Sequence, residues 1–250
     1  MKNIIVTGGT RGIGRAIVNT LSEKIRLTDD GIHGANLIVT YRSGEEQAKE
    51  LKNELMHLGV SVQVMQMDLA DTQSIEHFVT QVEQEYGEIH GLINNAGMTN
   101  DGSFLTMSDD DVSALLETNL AGTMFLTEML VPLLQKAGTS SVILMASAAG
   151  VYGKEGQVPY ATTKGGLIGY CQLLARRYGR SGMYVNAVAP GFIETDMVTE
   201  LDPSMFEHTL KNASIGAMGQ PNDVANVVHN LLTPGYIQAT TIKVDGGHLR

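Results

Sequence analysis

The sequence predicts an α/β fold of the Rossmann type, a doubly wound parallel sheet of about seven strands with helices on both faces. Short apolar runs alternate with longer stretches of helical periodicity, and this alternation continues through both halves of the chain. A glycine-rich turn also separates the first apolar run from the first helical stretch. Strands that alternate with helices form βαβ units, which place parallel strands side by side through right-handed crossovers.

The predicted elements follow one another regularly. We expect strands at residues 3–7, 36–41, 61–66, 91–94, 141–146, 183–189 and 240–244. The clearest helices are expected at residues 14–24, 45–58, 74–86, 109–135 and 160–180. Because neither a repeat nor a low-complexity segment interrupts the series, we predict a single domain over residues 1–250.

Two stretches break this regularity. Residues 23–35 are polar and contain glycine, and they predict an extended loop between the first helix and the second strand. Residues 194–217 follow a Pro-Gly pair and carry apolar residues at helix-like spacing. An insertion of this kind between a strand and the next helix predicts a lid over the substrate.

Composition and charge restrict the possible functions. The 250 residues are 43% hydrophobic and 18% charged, which is typical of a globular protein. A net charge of −10 argues against broad nucleic-acid binding. The single cysteine, Cys171, cannot form an intrachain disulfide, and the histidines lack metal-ligand spacing, so no metal is expected. Without a signal peptide or an apolar run long enough to span a bilayer, the protein is expected to be cytoplasmic, with no membrane partner.

The glycine-rich turn, Gly8-x-x-x-Gly12-x-Gly14, follows the first strand and opens the first helix. Glycines permit a tight turn and let the backbone approach a pyrophosphate, which binds at the positive helix N-terminus. Taken alone, the pattern also fits a plain strand-to-helix turn. Its position at the first βα junction favours nucleotide binding.

The end of the second strand indicates which nicotinamide cofactor is bound. It reads Tyr41-Arg42-Ser43, and no carboxylate follows until Glu45. A free ribose 2′-hydroxyl usually meets a carboxylate here, whereas a 2′-phosphate favours arginine. Arg11 in the glycine turn is a second candidate for that phosphate, since a guanidinium fork suits it. The alternative is two solvated surface arginines, but we predict NADP rather than NAD.

Three polar positions extend the expected cofactor and catalytic region. Asp68 ends the third strand, where its carboxylate either accepts from an adenine amino group or caps the next helix. The run Asn94-Asn95-Ala96-Gly97 either brings the backbone close to a cofactor or forms a simple turn. Asn119 interrupts a helical stretch, either as a tolerated defect or as an amide that holds a kink and a water.

Tyr160 and Lys164 are the strongest catalytic candidates. Residues four apart share one face of a helix, and an ammonium beside a phenol lowers the phenol pKa from about 10. Tyr160 is therefore predicted to give and take a proton near neutral pH. Ser147 ends the fifth strand, where its hydroxyl is expected to bind a carbonyl oxygen. Taken singly, these are only a loop serine and an amphipathic aromatic residue.

Together these residues make the chain resemble the short-chain dehydrogenase/reductase family over essentially its whole length. The matching pieces are residues 7–14, Asp68, residues 94–97, Asn119, Ser147, Tyr160, Lys164, Pro190 and Gly191. Within that family the chain is most similar to the 3-oxoacyl-acyl-carrier-protein reductases. The segments that carry this closer similarity are 94–101, 117–120, 164–169 and 189–197.

The resemblance implies roles for these residues. Tyr160 would protonate the carbonyl oxygen, while Ser147 would polarise the carbonyl. Lys164 would lower the tyrosine pKa and bind the nicotinamide ribose, and Asn119 would hold a relay water. Ile193 would contact the carboxamide and Thr195 the pyrophosphate. The implied NADPH contacts are Gly8, Thr10, Arg11, Gly12, Ile13, Gly14, Arg42, Ser43, Asp68, Leu69, Asn95, Ala96, Gly97, Tyr160, Lys164, Pro190, Gly191, Ile193 and Thr195.

The resemblance also implies a reaction and partners. The protein would reduce a β-ketoacyl thioester on an acyl carrier protein, in fatty-acid or polyketide/polyene biosynthesis, and would form a homotetramer through its long helices. One alternative is reduction of a free ketone, sugar or steroid. Another is a catalytically silent NADP-binding subunit, which the intact catalytic residues argue against.

Several departures from the family pattern indicate a specialised relative. The connection at residues 23–35 is longer by about nine residues and is expected near the adenosine end. Ala217 stands where arginine is common, and Gly138 stands where a basic residue often meets the carrier protein. We therefore expect carrier docking on Arg176, Arg177 and Arg180, although these cations also complement the dipole of their helix.

Overall fold

Seven parallel strands form the central sheet of the protein. The computed structural model describes residues 1–27, 32–195, 213–233 and 235–247. The strands are β1 (Asn3–Val6), β2 (Asn36–Tyr41), β3 (Val62–Gln66), β4 (Gly91–Asn94), β5 (Ser140–Met145), β6 (Met183–Pro190) and β7 (Thr241–Val244). They lie in the order β3-β2-β1-β4-β5-β6-β7, and every neighbouring pair is parallel. The predicted doubly wound sheet is confirmed.

Helices cover both faces of this sheet. They are α1 (Gly12–Leu27), α2 (Glu45–His57), α3 (Thr72–Tyr86), α4 (Asp109–Leu116), a π-helical segment (Glu117–Gly122), α5 (Thr123–Lys136), α6 (Ala148–Tyr152), α7 (Val158–Tyr178), a short 3₁₀ turn (Gly179–Ser181) and α8 (Pro221–Leu232). Helices α1, α2 and α8 pack against Ile4 and Val6, and α3, α5 and α7 pack against Ile5 on the other face. Alternating strand residues therefore supply two separate cores. In the described parts of the chain, no helix is long and apolar enough to cross a membrane.

Local sequence explains where several helices begin. The Ser108 hydroxyl oxygen accepts from the Asp111 N–H (3.1 Å) and caps α4. At the start of α8, the Gln220 N–H donates to the Asp223 carboxylate (2.7 Å) in a capping box. Pro159 lies in the first turn of α7, where its missing N–H is not needed, so the helix begins two residues before the predicted start at Tyr160.

The stretch at residues 23–35 differs from the predicted extended loop. Helix α1 continues to Leu27, and Ile32 and Ala35 are only 2% and 1% exposed. The Gly34 N–H donates to the Ile25 carbonyl oxygen (3.2 Å), which folds the chain back over the helix end. The polar composition of this stretch gave no indication that Ile32 is buried, although it packs in the same core as α1. Residues 28–31 lie outside the described residues.

This connection lies at the amino edge of the sheet, where the strands begin. Helix α1 starts beside the carboxyl end of β1 and runs back across the sheet, so its last turn reaches the opposite edge. There the Asn36 N–H donates to the Lys2 carbonyl oxygen (2.8 Å), and Ile32 lines a small cavity with Lys2 and His90. The expectation that the insertion lies near the adenosine end is therefore wrong, because nucleotides bind outside the carboxyl ends of the strands.

The predicted lid at 194–217 falls mostly on residues 196–212, which lie outside the described residues. Both ends of the segment are described. The Glu194 N–H donates to the Gly219 carbonyl oxygen (2.8 Å), and the Ile215 N–H donates to the Gly246 carbonyl oxygen (3.1 Å). The described residues at the two ends of the segment are thus anchored beyond the carboxyl ends of β6 and β7.

Candidate active site

The turns after β1 and β4 are fastened together at the carboxyl edge of the sheet. Asn95 Nδ2 donates to the carbonyl oxygens of Thr7 (2.9 Å) and Gly8 (3.1 Å). The Thr7 hydroxyl oxygen accepts from the backbone N–H groups of Asn95 (3.0 Å) and Ala96 (2.9 Å). The order of strands reverses between β1 and β4, which is where open α/β sheets bind ligands. Asn95 and Ala96 were expected here, whereas Thr7 was identified only as part of the glycine motif, with no role for its hydroxyl.

The glycine turn leaves no room for side chains. A Cβ on Gly14 would lie 2.1 Å from the Gly8 carbonyl oxygen and 2.5 Å from Asn95 Nδ2. Gly8 and Gly12 have φ angles of +63° and +53°, which favour glycine. The backbone at the start of α1 is therefore bare and open to close approach, as a bound pyrophosphate requires. The nearby Thr10 and Ile13 are half-buried in the same turn.

Two arginines lie at the outer side of this turn. Arg11 and Arg42 are exposed, and no described residue forms a side-chain hydrogen bond or ion pair with either guanidinium. Gln66 Nε2 donates to the Arg42 carbonyl oxygen (3.0 Å) and fixes the backbone there, and Ser43 beside it is exposed. By contrast, Arg15 forms an ion pair with Glu54 and is not available to a ligand. The two free guanidiniums fit a phosphate.

Asp68 and Leu69 follow β3 on the same edge. The Asp68 carboxylate accepts from the Ala70 N–H (2.9 Å) in a local turn. Helix α3 is capped instead by Asp71, which accepts from the Gln73 N–H (2.9 Å). The capping role considered for Asp68 is therefore excluded. Its second carboxylate oxygen makes no hydrogen bond with a described residue.

The segment after β6 turns back toward the glycine turn. The Gly191 N–H donates to the Val244 carbonyl oxygen (2.9 Å), and a Cβ on Gly191 would lie 2.7 Å from the Asp245 Cα. A Cβ on Gly12 would lie 3.7 Å from Thr195 Cγ2, so Thr195 stands beside the pyrophosphate turn. The Ile193 side chain is 3% exposed and packs in the core, so any cofactor contact it makes is through its backbone. Pro190 ends β6 next to this turn.

Asn119 lies in the π-helical segment, which replaces the predicted kink. Its Oδ1 accepts from the Met98 N–H (2.8 Å), and its Nδ2 donates to the Met98 carbonyl oxygen (2.8 Å). The segment packs so tightly on the loop after β3 that a Cβ on Gly122 would lie 1.9 Å from the Leu69 carbonyl oxygen. Asn119 is completely buried. With both ends of its amide paired, Asn119 is an organised part of the site rather than a tolerated defect.

Lys164 is buried beside Asn119. Its ammonium donates to the Met145 carbonyl oxygen (2.8 Å) at the end of β5, and burial lowers its pKa to about 8. A Cβ on Gly97 would lie 3.1 Å from Asn119 Oδ1 and 3.3 Å from Lys164 Nζ. A side chain at this position would crowd both polar groups, so glycine lets them lie close to the turn after β4. The sequence-predicted residues Gly97, Asn119 and Lys164 are thus brought together.

Ser147 and Tyr160 complete the catalytic group. A hydrogen bond with Ser147 lowers the pKa of the Tyr160 phenol, but burial has the larger effect, and the net result is a raised pKa. The predicted lowering by Lys164 is therefore wrong for this structure. The Lys164 ammonium lies 5.8 Å from the centroid of the Tyr160 ring and is bonded to the backbone instead. A raised pKa keeps Tyr160 protonated at neutral pH, as a proton donor must be.

The arrangement suits hydride chemistry at a carbonyl group. Three donors, the Tyr160 phenol, the Ser147 hydroxyl and the Lys164 ammonium, lie beyond the carboxyl end of β5. The bare glycine backbone lies beyond β1, which is separated from β5 by β4 alone. Within the described residues, no group of three His, Cys, Asp or Glu side chains is placed to hold a metal ion. A dinucleotide lying across the switch point would join the two regions.

Comparison with known proteins places the chain among related enzymes. A family model described as short chain dehydrogenase matches residues 2–205. The chain is 36% identical to the 3-oxoacyl-acyl-carrier-protein reductase FabG of Salmonella typhimurium over 248 residues, which cover 98% of this chain and 96% of that protein. It is 33% identical to the reductase of the same name from Staphylococcus aureus strain N315, with 98% and 97% covered.

A solved structure of a short chain dehydrogenase is also similar to this protein. The protein is similar to a short chain dehydrogenase from Burkholderia cenocepacia J2315, which was crystallised in complex with NADP. The TM-score is 0.88 and the sequence identity is 30%, with 98% of this chain and 97% of that chain covered. The likeness therefore extends over both the cofactor side and the catalytic side of the sheet.

Proposed function

The chain belongs to the short-chain dehydrogenase family, and from this membership we propose that it reduces a β-ketoacyl thioester on an acyl carrier protein to the β-hydroxyacyl thioester. More broadly, it is an NADPH-dependent oxidoreductase that acts on a CH–OH/C=O group. The 3-oxoacyl-acyl-carrier-protein reductases at 33–36% identity support the finer proposal. Fatty-acid or polyketide biosynthesis is the proposed setting.

The observation that carries the proposal is the half-buried Tyr160 side chain, whose phenol is hydrogen-bonded to Ser147 and which lies four residues before buried Lys164. When bound, NADPH supplies the hydride that reduces the carbonyl carbon. Tyr160 donates its proton to the carbonyl oxygen as negative charge develops there, and Ser147 donates a second hydrogen bond to the same oxygen. Lys164 would bind the nicotinamide ribose, because its ammonium bonds the Met145 backbone here rather than the phenol.

We propose that a relay then returns the proton to Tyr160. Lys164 is next to Tyr160 on the same face of α7, and Asn119 lies beside Lys164 across Gly97. Asn119 is proposed to hold the water that connects Lys164 with solvent. Its amide is fixed by the Met98 backbone, so the position of such a water would be fixed as well.

The residues that would hold the cofactor fit a phosphorylated dinucleotide. The bare turn at Gly8, Gly12 and Gly14 suits the pyrophosphate, with Thr195 beside it. The exposed guanidiniums of Arg11 and Arg42 would bind the 2′-phosphate, and the Asp68 carboxylate would accept from the adenine amino group. The turn at residues 95–97 and the segment 190–193 would approach the nicotinamide end.

A steady-state assay tests this proposal. NADPH oxidation is measured with an acetoacetyl thioester, on carrier protein and as a short free thioester, beside a panel of simple ketones, sugars and steroids. We expect the highest kcat/KM for the carrier-bound thioester. A higher value for a free ketone would favour the alternative that the substrate is a small free carbonyl compound. No turnover with any substrate, despite NADPH binding, would favour a silent subunit.

We also propose a homotetramer and a single domain with a lid at 194–217. Leu116, Met124 and Leu173 are exposed apolar residues on or beside the long helices α4, α5 and α7. Pairing of these helices between subunits would bury them, since large apolar side chains at a helix surface favour association. Sedimentation velocity tests this: Leu173→Glu is expected to reduce the sedimenting mass, whereas Lys52→Glu on α2 is expected to leave it unchanged.

Carrier docking on Arg176, Arg177 and Arg180 needs a further argument, because these residues lie at the far end of α7 and in the 3₁₀ turn that follows it. At 1.5 Å per residue, Arg176 is about 24 Å from Tyr160 along the helix. A carrier bound there would therefore need a long prosthetic arm or would serve a neighbouring subunit. Arg176→Glu is expected to raise KM for the carrier-bound substrate alone, whereas Lys52→Glu is not. Equal effects on a short free thioester would contradict docking.

A further inference from the structure

Lys154 lies close to the catalytic residues, although the proposed mechanism does not use it. It belongs to the loop at residues 153–157, which joins α6 to α7 six residues before Tyr160. Its ammonium stands 4.6 Å from the centroid of the Phe192 ring, in the segment that follows β6. The side chain is half-buried, and this burial lowers its pKa against the opposing effect of Asp101. Lys154 is therefore a cation that is partly removed from water.

The surroundings of Lys154 are held in place by the loop after β4. The Gly102 N–H donates to the Gly156 carbonyl oxygen (2.8 Å). Gln157 Nε2 donates to one oxygen of the Asp101 carboxylate (2.6 Å), and the Thr99 hydroxyl donates to the other (2.5 Å). Two loops from different strands are thus joined beside the catalytic residues, and both oxygens of Asp101 are engaged.

The ammonium of Lys154 has no hydrogen-bond or ion-pair partner among the described residues, and it lies over the Phe192 ring. An ammonium carries three N–H donors, and leaving them unpaired in a partly dehydrated position costs free energy. Asp101 is bonded to Gln157, the residue before α7, and Tyr160 lies in the first turn of that helix, so Lys154, Asp101 and Tyr160 belong to the same joined loops and helix start. Lys154 is therefore placed to meet a substrate that is already bonded to Tyr160.

We propose that the Lys154 ammonium binds the thioester carbonyl oxygen of the substrate while Tyr160 and Ser147 bind the β-carbonyl oxygen. This inference rests on the proposed function. A β-ketoacyl thioester differs from a simple ketone by a second carbonyl oxygen two carbons away, and a hydrogen bond from an ammonium to such an oxygen is stronger than a neutral one. The face of the Phe192 ring would hold the ammonium in position.

The nearby carboxylate favours a neutral oxygen over an anionic one. Asp101 already places a negative charge close to Lys154 and Tyr160. A substrate carboxylate at this position would be attracted by Lys154 but repelled by Asp101, whereas a thioester carbonyl would keep the attraction without the repulsion. Lys154 and Asp101 together therefore favour the binding of esters or thioesters over free keto acids. Lys154 is thus a specificity-determining residue.

Two variants separate this role from a structural one. Lys154→Met keeps the length and the apolar contact with Phe192 but removes the donors, and Lys154→Arg keeps the charge. Lys136→Met, at the exposed end of α5, is the matched control. Each protein is assayed with NADPH, a short free acetoacetyl thioester and a simple ketone of similar size. Circular dichroism and NADPH titration check that the fold and the cofactor site are unchanged.

The expected result is a selective change in KM. In Lys154→Met, KM for the thioester should rise about tenfold or more, with kcat within about threefold, because a bond made in both the ground state and the transition state is lost. KM for the simple ketone should stay within about twofold, and Lys154→Arg should recover most of the thioester binding.

Three outcomes would overturn the inference. An unchanged KM for the thioester in Lys154→Met would refute it while the proposed function stands. Equal losses on thioester and ketone would make Lys154 a structural residue, again without affecting the proposed function. A wild-type protein that reduces simple ketones but not thioesters would refute the proposed function and this inference together.

Discussion

The cofactor side and the catalytic side of the sheet are built in opposite ways. On the cofactor side, the turn after β1 is defined by missing side chains: a Cβ on Gly14 would lie 2.1 Å from the Gly8 carbonyl oxygen. On the catalytic side, polar side chains are buried, with Asn119 completely inaccessible and Lys164 only 4% exposed. The cofactor side thus depends on close backbone approach, and the catalytic side depends on polar groups held out of water.

This difference predicts how each side responds to substitution. Adding one carbon to the glycine turn creates a clash that the backbone cannot avoid, so it should harm both folding and cofactor binding. Removing a buried polar group from the catalytic side relieves a desolvation cost, so it can harm activity without harming the fold. Four predictions test this contrast.

The largest effect is expected for Tyr160→Phe. Because the variant loses only the proton donor, kcat should fall about 10³-fold, while the Kd for NADPH stays within about threefold. Stopped-flow turnover and fluorescence titration with NADPH measure the two quantities. Tyr236→Phe, at an exposed position, should match wild type. Turnover within about tenfold of wild type in Tyr160→Phe would exclude Tyr160 as the main acid.

Gly14→Ala should have the next largest effect and should act on the cofactor side. The added Cβ would clash with Gly8 and Asn95, so NADPH affinity should fall about 100-fold and thermal stability should drop with it. Gly169→Ala is the matched control, since no atom lies within 4 Å of its Cβ position on α7. That variant should be as stable as wild type or slightly more stable. Similar losses in both variants would show that the clash is not the cause.

Lys164→Met should lower kcat and yet stabilise the protein at neutral pH. The folded pKa of Lys164 is about 8, below the ordinary 10.5. The unfolded chain therefore binds more protons between those values, so wild-type stability should rise with pH across that range. Below pH 8 the full penalty for burying the charge remains, so the variant should gain up to about 3 kcal/mol in free energy of unfolding at pH 7.

Urea unfolding at pH 7 and pH 10 would measure the effect of Lys164→Met, with Lys136→Met as the surface control. The gain over wild type should shrink at the higher pH, because most of the wild-type ammonium groups are then deprotonated. A variant that is less stable than wild type at both pH values would mean that the bond to the Met145 carbonyl oxygen outweighs the burial penalty.

The smallest effect is expected for Arg42→Asp on the cofactor side. This residue is exposed, so its charge acts through water, and the preference for NADPH over NADH should fall about tenfold. The ratio of kcat/KM for the two cofactors measures it, and Arg26→Asp at the end of α1 should not change the ratio. If Arg42→Asp leaves the preference for NADPH unaltered, binding of the 2′-phosphate would be assigned to Arg11 instead.

Sequence reasoning located most of the site because its signals are local. The glycine spacing at 8–14 and the pair Tyr160 and Lys164 can be interpreted without knowing the packing. The hydroxyl of Thr7 escaped notice because its partners, Asn95 and Ala96, are distant in sequence. The only sequence feature that pointed to this contact was the position of the threonine directly before the first glycine of the turn.

Other features depended on tertiary structure. The pKa of Tyr160 rises because of burial, which spacing on a helix does not reveal. The π-helical segment around Asn119 accompanies the contact of Gly122 with the loop after β3, so the local sequence alone suggested only a kink. The buried Ile32 was hidden in a polar stretch, and a single apolar residue among polar ones has no periodicity to detect.

The bonds between Thr7 and Asn95 also bear on how the protein folds. These two residues are separated by 88 positions, yet they fix the backbone on which the cofactor would lie. Contacts between residues so far apart require a large loop to close before they stabilise anything, and such contacts slow folding. On a ribosome, the first strand, turn and helix would emerge well before Asn95 does. The cofactor-binding turn would therefore acquire its final form only after the fourth strand has joined the sheet.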